Sequence, residues 1–365
     1  MDLSKIKRVI IEEGADRYAQ TFNILSKFDG QDCEIIRHPD ERVEYPVNSS
    51  QMDKGTLRLI EFKGEFLKPC PGTKEYICCG YQILNVGTNC PMNCSYCILQ
   101  AYFNKPSLRL FINIEENLER ICEIIDNNPE KTFRIGTGEF TDSLAIDPIA
   151  DWTGYLPKYF SKRKNAVLEF KTKTDCINGL LKSQYRDRII VSWSLNSRCI
   201  ASKEEHGAPS ISKRLKCARI CQEEGYVLAF HFDPLIFHDR WKEEYARTLD
   251  LLDKYIDPKK IIWVSMGCLR FMPRFKDIFK NRHPESKIIY NEFIPGLDGK
   301  MRYFKPLRIE MYSFMREKIS EFYEDIGLYL CMESDSIWKD SMKWSPGDSR
   351  GLAEFLDKRV EFFFN

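Results

Sequence analysis

No apolar run in the 365 residues approaches the ~20 that a bilayer-spanning helix needs, so neither a membrane span nor a membrane partner is expected. The N-terminal stretch MDLSKIKRVIIEEGADRYAQ turns acidic after about ten positions and lacks a cleavable signal, so a cytoplasmic location is expected. Neither sign of charge is in excess. The 55 Lys and Arg face 54 Asp and Glu, and the net charge of +1 excludes a globally basic chain. An apolar fraction of 43% excludes a disordered one. Internal repeats and low-complexity segments are absent. The length suffices for one large domain or two ordinary ones with a sizeable core.

Cysteine, by contrast, is plentiful at fourteen. In a reducing compartment clustered thiols bind metals or do chemistry more often than they bridge. Eleven are scattered, mostly in apolar segments such as WVSMGCL, where a free thiol acts as a small hydrophobe. The other three, Cys90, Cys94 and Cys97, stand at C-x3-C-x2-C spacing in TNCPMNCSYCIL, with no histidine within reach. Four explanations compete. Structural zinc takes four closed ligands and catalytic zinc three plus water, and neither usually shows this spacing. A redox pair would use C-x2-C alone and leave Cys90 idle. Chance clustering in a core conflicts with Pro91, Asn93 and Ser95, which mark a loop. The favoured reading is a [4Fe–4S] cluster on three thiolates, with one iron left open. An open iron can chelate the amino and carboxylate groups of S-adenosylmethionine. One electron passed to the sulfonium then breaks a C–S bond and releases a 5′-deoxyadenosyl radical, which takes hydrogen from unactivated carbon.

From residue 82 the chain alternates strand and helix six times. Strand-like QILNVGT, KTFRIGTG, AVLEFKTK, RIIVSWSLN, YVLAFHFDPL and KIIWVSMGCL are separated by helical stretches such as SISKRLKCARICQEEG and WKEEYARTLDLLDKY. That alternation predicts parallel strands with crossover helices, in an open sheet or a (β/α) barrel, with chemistry at the strands' C-terminal ends. The cysteine loop follows the first of these strands and so lies at that end. Residues 307–330 read as one more helix and the remainder as a closing tail. The expected division is an N-terminal α+β extension over 1–80, a barrel over 81–285, and a C-terminal hairpin, helix and tail over 286–365.

A three-cysteine loop after the first strand of such a barrel resembles the radical S-adenosylmethionine superfamily. Within it, GTNCPMNCSYCILQ, INIEENL, FTDSLAIDP, SWSLN, EEHGAPSISKRL and GYVLAFHFDPLIFHDRWKEEY resemble the spore photoproduct lyase family, over about residues 8–325. The resemblance implies a partial (β/α)6 TIM-type barrel, a [4Fe–4S] cluster on Cys90, Cys94 and Cys97, and S-adenosylmethionine beside it. Gly136, Gly138 and Glu139 match the superfamily's Gly-Gly-Glu element, in which glycines admit close backbone approach. Thr141, Lys173, Ser194, Asn196 and Asp233 are the further expected cofactor contacts, with Tyr96 next to the cluster. Tyr96 and Glu139 are the expected catalytic residues. The family repairs the ultraviolet-induced thymine dimer of spore DNA. Reduced flavodoxin or ferredoxin is the implied electron donor, and a monomer the implied state.

Two departures stand out. Glu139 and Phe140 occupy the place of the family's hydrogen-donating cysteine, and Ile98 stands where a second tyrosine is usual. A carboxylic O–H bond is too strong to replace S–H as a hydrogen-atom source, which leaves Tyr96, Cys268 or no donor at all. The same radical chemistry on a small metabolite or peptide is therefore an alternative, and a non-enzymatic iron–sulfur or zinc nucleic-acid-binding module is a third. Residues 259–308 carry twelve Lys and Arg against four acids. Arg270 and the basic-aromatic run Lys300, Arg302, Tyr303, Lys305 are the expected contacts to DNA or a nucleotide.

Overall fold

The computed structural model describes residues 3–39 and 52–365. Its principal sheet has eight strands: β1 (Leu67–Pro69), β2 (Gln82–Leu84), β3 (Phe133–Gly136), β4 (Ala166–Thr172), β5 (Ile189–Ser194), β6 (Val227–Leu235), β7 (Ile261–Cys268) and β8 (Leu328–Leu330). They lie side by side in chain order, with β2 to β8 parallel and β1 antiparallel on the β2 edge. All six expected strands are present in the expected order, curled into a half-barrel. Every residue of β5 and β7 is buried, as strands covered on both faces must be. Helix Trp241–Tyr255 covers the sheet through Trp241, Tyr245, Thr248, Leu249 and Leu252, a single stripe at helical spacing.

The N-terminal residues build a second sheet in which Arg8–Ile11 runs parallel to Glu34–Arg37 and to Thr56–Ile60. Two features here depart from the sequence reading. QILNVGT is not one strand: β2 ends at Leu84, and Gly87–Thr88 crosses to the N-terminal sheet to pair with Leu108–Phe111. A Cβ on Gly87 would stand 2.4 Å from the Arg109 carbonyl oxygen, so only glycine permits the crossing. Leu108–Phe111, unforeseen, pairs with Thr56–Ile60 and ties the first strand–helix unit to the N-terminal sheet.

The stretch read as a closing tail is structural. Its helix Ser349–Phe364 sends Asp357 to Arg134 of β3 at 2.8 Å, and Leu328–Leu330, expected as the end of the preceding helix, is instead β8 and extends the parallel sheet beyond β7. The connection between β1 and β2 reaches across to this edge. Ile77 donates its N–H to the Glu333 carbonyl at 3.0 Å, just past β8. The two edges of the open sheet are thereby linked through a loop that carries Cys70, Cys78 and Cys79.

Candidate active site and cofactor pocket

The cysteine loop follows β2 and is fixed by one segment. Asn93–Cys94 pairs antiparallel with Glu205–His206, and Ser95 donates its N–H to the Glu204 carbonyl at 2.8 Å. The Ser95 hydroxyl donates to the Glu204 carboxylate and the Tyr96 hydroxyl to that of Glu205, whose other oxygen holds Arg214. Gln100 donates to the carbonyls of Cys94 and Ser95 at 3.1 and 3.0 Å, and Lys54 to that of Cys90. The Glu205–Arg214 pair is fully buried, so its charges are viable only because each has the other. Neither glutamate was singled out from sequence, although EEHGAPS contains both.

Cys94 is buried, and Cys90 and Cys97 are half-buried. Burial pushes the Cys94 thiol up to about 12 against the pull of Lys173, and pushes the Cys90 thiol up as well. The three stand in each other's electrostatic reach, Cys90 next to Cys94 and Cys94 next to Cys97. Among the described residues no three side chains close on a single ion. A four-iron cluster binds each thiolate to a different iron, so its ligands need not converge on one point. Loading displaces the thiol protons.

Glu139 follows β3 and forms an ion pair with Lys171 of β4. Burial works against the Lys171 charge, yet Glu139 outweighs it and pushes the ammonium above its ordinary value. Asp142 anchors the loop, accepting from the N–H groups of Leu144, Ala145 and Lys173 and from the Thr172 hydroxyl, at 2.7–3.0 Å. Lys173 is thus set 5.7 Å over the Tyr96 ring, between this loop and the cysteine loop. Thr141 is buried with its hydroxyl lacking a hydrogen-bond partner among the described residues, as a group that awaits a ligand would be. Gly138 permits close passage of Lys171, 2.8 Å from where a Cβ would stand. The missing Cβ of Gly136 makes room for the Tyr81 hydroxyl, 1.5 Å from where that atom would stand.

Asp233 of β6 receives Arg270 through two bonds of 3.1 Å. Burial raises the Asp233 carboxyl, but Arg270 outweighs it and holds the acid below its usual range. Deeper in the barrel His231 shares 2.6 Å hydrogen bonds with Glu169 and Ser265. The expected residues that meet at one mouth are therefore the three cysteines, Tyr96, Gly138, Glu139, Thr141 and Lys173, with the Asp233–Arg270 pair on the β6–β7 side. Ser194 is buried at the end of β5, its carbonyl accepting from Arg214 at 3.0 Å.

Several expected contacts are turned inward. Asn196 is buried, donates to the Pro234 carbonyl and accepts from Tyr245 and the Ser197 N–H, so its amide is engaged within the protein. Arg302 is buried against Asp298, the Met332 carbonyl and the Tyr76 ring. Tyr303 is 0% exposed and accepts from the Phe237 N–H, so it offers no face to a base. Lys300 pairs with Asp298 and Lys305 with Asp340. The basic stretch is not one surface: Arg270 and Arg308 are paired with acids, and Lys259 and Lys260 precede β7, at the end opposite the cysteine loop. Exposed lysines remain on and after helix Phe275–Arg282, at Lys276, Lys280 and Lys287.

The family model for spore photoproduct lyase matches residues 74–327, more than half of the chain. The chain belongs to the spore photoproduct lyase family. It is 24% identical over 295 residues to the spore photoproduct lyase of Geobacillus sp. (strain Y412MC61), covering 80% of this chain and 81% of that one. With the Bacillus subtilis (strain 168) spore photoproduct lyase it shares 24% over 237 residues, 64% and 67% of the two chains. A spore photoproduct lyase double mutant with bound AdoMet and dinucleoside spore photoproduct superposes with a TM-score of 0.75 at 22% identity, over 90% of this chain and 99% of that one. Spore photoproduct lyases are radical S-adenosylmethionine enzymes, and the cofactors here are a [4Fe–4S] cluster and S-adenosylmethionine. Membership of this enzyme family removes the reading as a non-enzymatic binding module. No helix among the described residues is long and apolar enough to cross a membrane.

Proposed function

We propose that this protein is a radical lyase that restores two thymines from a spore-photoproduct-type dimer in DNA. The observation that carries the reading is the meeting of the braced cysteine loop, the Glu139–Lys171 pair and the Asp233–Arg270 pair at the C-terminal ends of one half-barrel. Bound together, the cluster and S-adenosylmethionine supply a 5′-deoxyadenosyl radical that abstracts hydrogen. Cys90, Cys94 and Cys97 hold the cluster. Glu139, Thr141, Lys173, Gly138 and Ser194 hold S-adenosylmethionine, while Asn196 shapes the end of β5 without touching it. Asp233 and Arg270 form the wall facing the substrate. A reduced flavodoxin or ferredoxin supplies the electron to a cytoplasmic monomer.

The test is anaerobic reconstitution, reduction, and incubation with S-adenosylmethionine and dinucleoside spore photoproduct. Release of the thymine dinucleoside together with 5′-deoxyadenosine is expected. Cleavage of S-adenosylmethionine with the dimer left intact overturns the substrate assignment. The inward-facing Arg302 and Tyr303 favour a second reading, a small metabolite or peptide substrate, and a metabolite and peptide panel run in parallel would then identify it.

A further inference from the structure

We propose that Cys70 is the hydrogen-atom donor that quenches the substrate radical; this rests on the repair reading above and names the residue that completes it. A radical left on the substrate after fragmentation needs a weak X–H bond within contact, and among protein side chains the cysteine S–H and the tyrosine O–H are the bonds weak enough. Three thiols are in the cluster loop, and Cys122, Cys217, Cys221 and Cys268 are buried. The thiol of Cys331 is engaged by Arg270 at 3.3 Å. Tyr96 is unsuited as well, because its phenolic hydrogen is held by Glu205 in a buried contact.

Of the other half-buried thiols, Cys33, Cys70, Cys78, Cys79, Cys176 and Cys199, Cys70 is the one that packs on the same small apolar group as Cys97. It follows β1, on the edge of the sheet next to β2, and its N–H donates to the Tyr81 carbonyl at 2.8 Å. Ile83, Leu99 and Phe140 form a small apolar group separate from the main core, and Cys70, Cys97 and Phe103 pack on it. One small apolar group thus receives Cys70 and the cluster-loop Cys97, and it contains Phe140, the residue after Glu139. Glu139 and Lys171 are also within electrostatic reach of the Cys70 thiol, which burial, with help from Glu139, keeps protonated. Thr141, whose buried hydroxyl has no hydrogen-bond partner among the described residues, is the next residue after Phe140. Cys70 as a residue is half-buried rather than sealed in the core. The sequence lacks a thiol after β3; the fold brings one to the same neighbourhood from β1.

The step is a homolytic transfer. The substrate carbon radical takes the hydrogen atom from Cys70 Sγ, a C–H bond forms as the S–H bond breaks, and a thiyl radical remains on Cys70. One electron and one proton then return the thiol, the electron coming from the same class of low-potential one-electron donor that reduces the cluster.

The experiment is repair of dinucleoside spore photoproduct in D2O, where thiols carry exchangeable deuterium, with mass spectrometry of the product. Wild-type protein is expected to place deuterium in the repaired thymine. Cys70→Ala is expected to keep its iron and cleave S-adenosylmethionine, but to lose more than about nine-tenths of the labelled product in favour of adducts. Cys331→Ala is expected to retain the label. In cluster-free wild-type protein, dinucleoside spore photoproduct should also slow maleimide alkylation of Cys70 but not of Cys33. Unchanged labelling in Cys70→Ala, loss of label in Cys331→Ala instead, or no protection of Cys70 overturns the assignment and leaves the repair reading standing. Wild-type protein that cleaves S-adenosylmethionine without repairing the dimer overturns both.

Discussion

Tyr96 donates its phenolic hydrogen to one oxygen of the Glu205 carboxylate, and Arg214 holds the other. Burial, reinforced by the Glu205 charge, keeps the phenol protonated. The tyrosine next to Cys97 is therefore a strut between the cysteine loop and its brace. Tyr96→Phe removes one donor but leaves Glu205 paired with Arg214, so the expected stability cost is that of one hydrogen bond to a charged group, about 1.5–3 kcal/mol by chemical denaturation. Iron content and the deuterium pattern of the product should not change. An altered pattern would return Tyr96 to the hydrogen-transfer step.

Glu139 has a different place. Its carboxylate faces Lys171 beside the glycines of the loop after β3. Glu139→Gln is expected to keep the iron and weaken S-adenosylmethionine binding by about tenfold or more, roughly 1.4 kcal/mol, in anaerobic calorimetry. Unchanged affinity with lost turnover would move Glu139 to the substrate side of the mouth.

DNA affinity should depend on the lysines that are exposed. Lys276, Lys280 and Lys287 replaced together by alanine should flatten the slope of log affinity against log salt by ~2–3. Lys300→Ala should leave the slope unchanged, because Asp298 already neutralises that ammonium. Arg302→Ala should instead cost about 1–3 kcal/mol of stability, since it removes the buried bonds to Asp298 and the Met332 carbonyl while Lys300 stays as the partner of Asp298. A salt-independent interaction would count against a phosphate backbone as ligand.

The alternation of strands and helices was legible because strands buried on both faces and helices with one apolar stripe leave patterns that survive in a bare sequence. The cysteine loop was legible because its spacing has few other uses. Leu108–Phe111 and Leu328–Leu330 were not, since runs of four and three residues are too short for a period to show. The inward turn of Arg302 and Tyr303 was hidden as well. A basic-aromatic run reads the same whether its partners are phosphates or, as here, Asp298 and the Tyr76 ring. The brace by Glu204, Glu205 and Arg214 is long-range in sequence and left no local signature.

Asp147 gives a pH prediction. Burial pushes its carboxyl up to about 6, against two hydrogen bonds from Thr153. Because the folded value is raised, the contribution favours the fold fully below the unfolded value of about 3.9 and is lost as pH rises through about 6. Asp147→Asn should thus gain stability relative to wild type between roughly pH 4 and 7, by on the order of 1–3 kcal/mol. A wild-type-minus-variant difference that stays flat over that range in denaturant titrations would show that Asp147 keeps an ordinary acidity.

The central claim is that three thiolates hold a four-iron cluster and leave one iron for S-adenosylmethionine. Electron paramagnetic resonance of anaerobically reconstituted, reduced protein tests it directly. The expected result is a [4Fe–4S]+ signal that changes shape when S-adenosylmethionine is added and is absent in Cys94→Ala. A colourless protein with stoichiometric zinc, or a cluster signal indifferent to S-adenosylmethionine, would contradict the account.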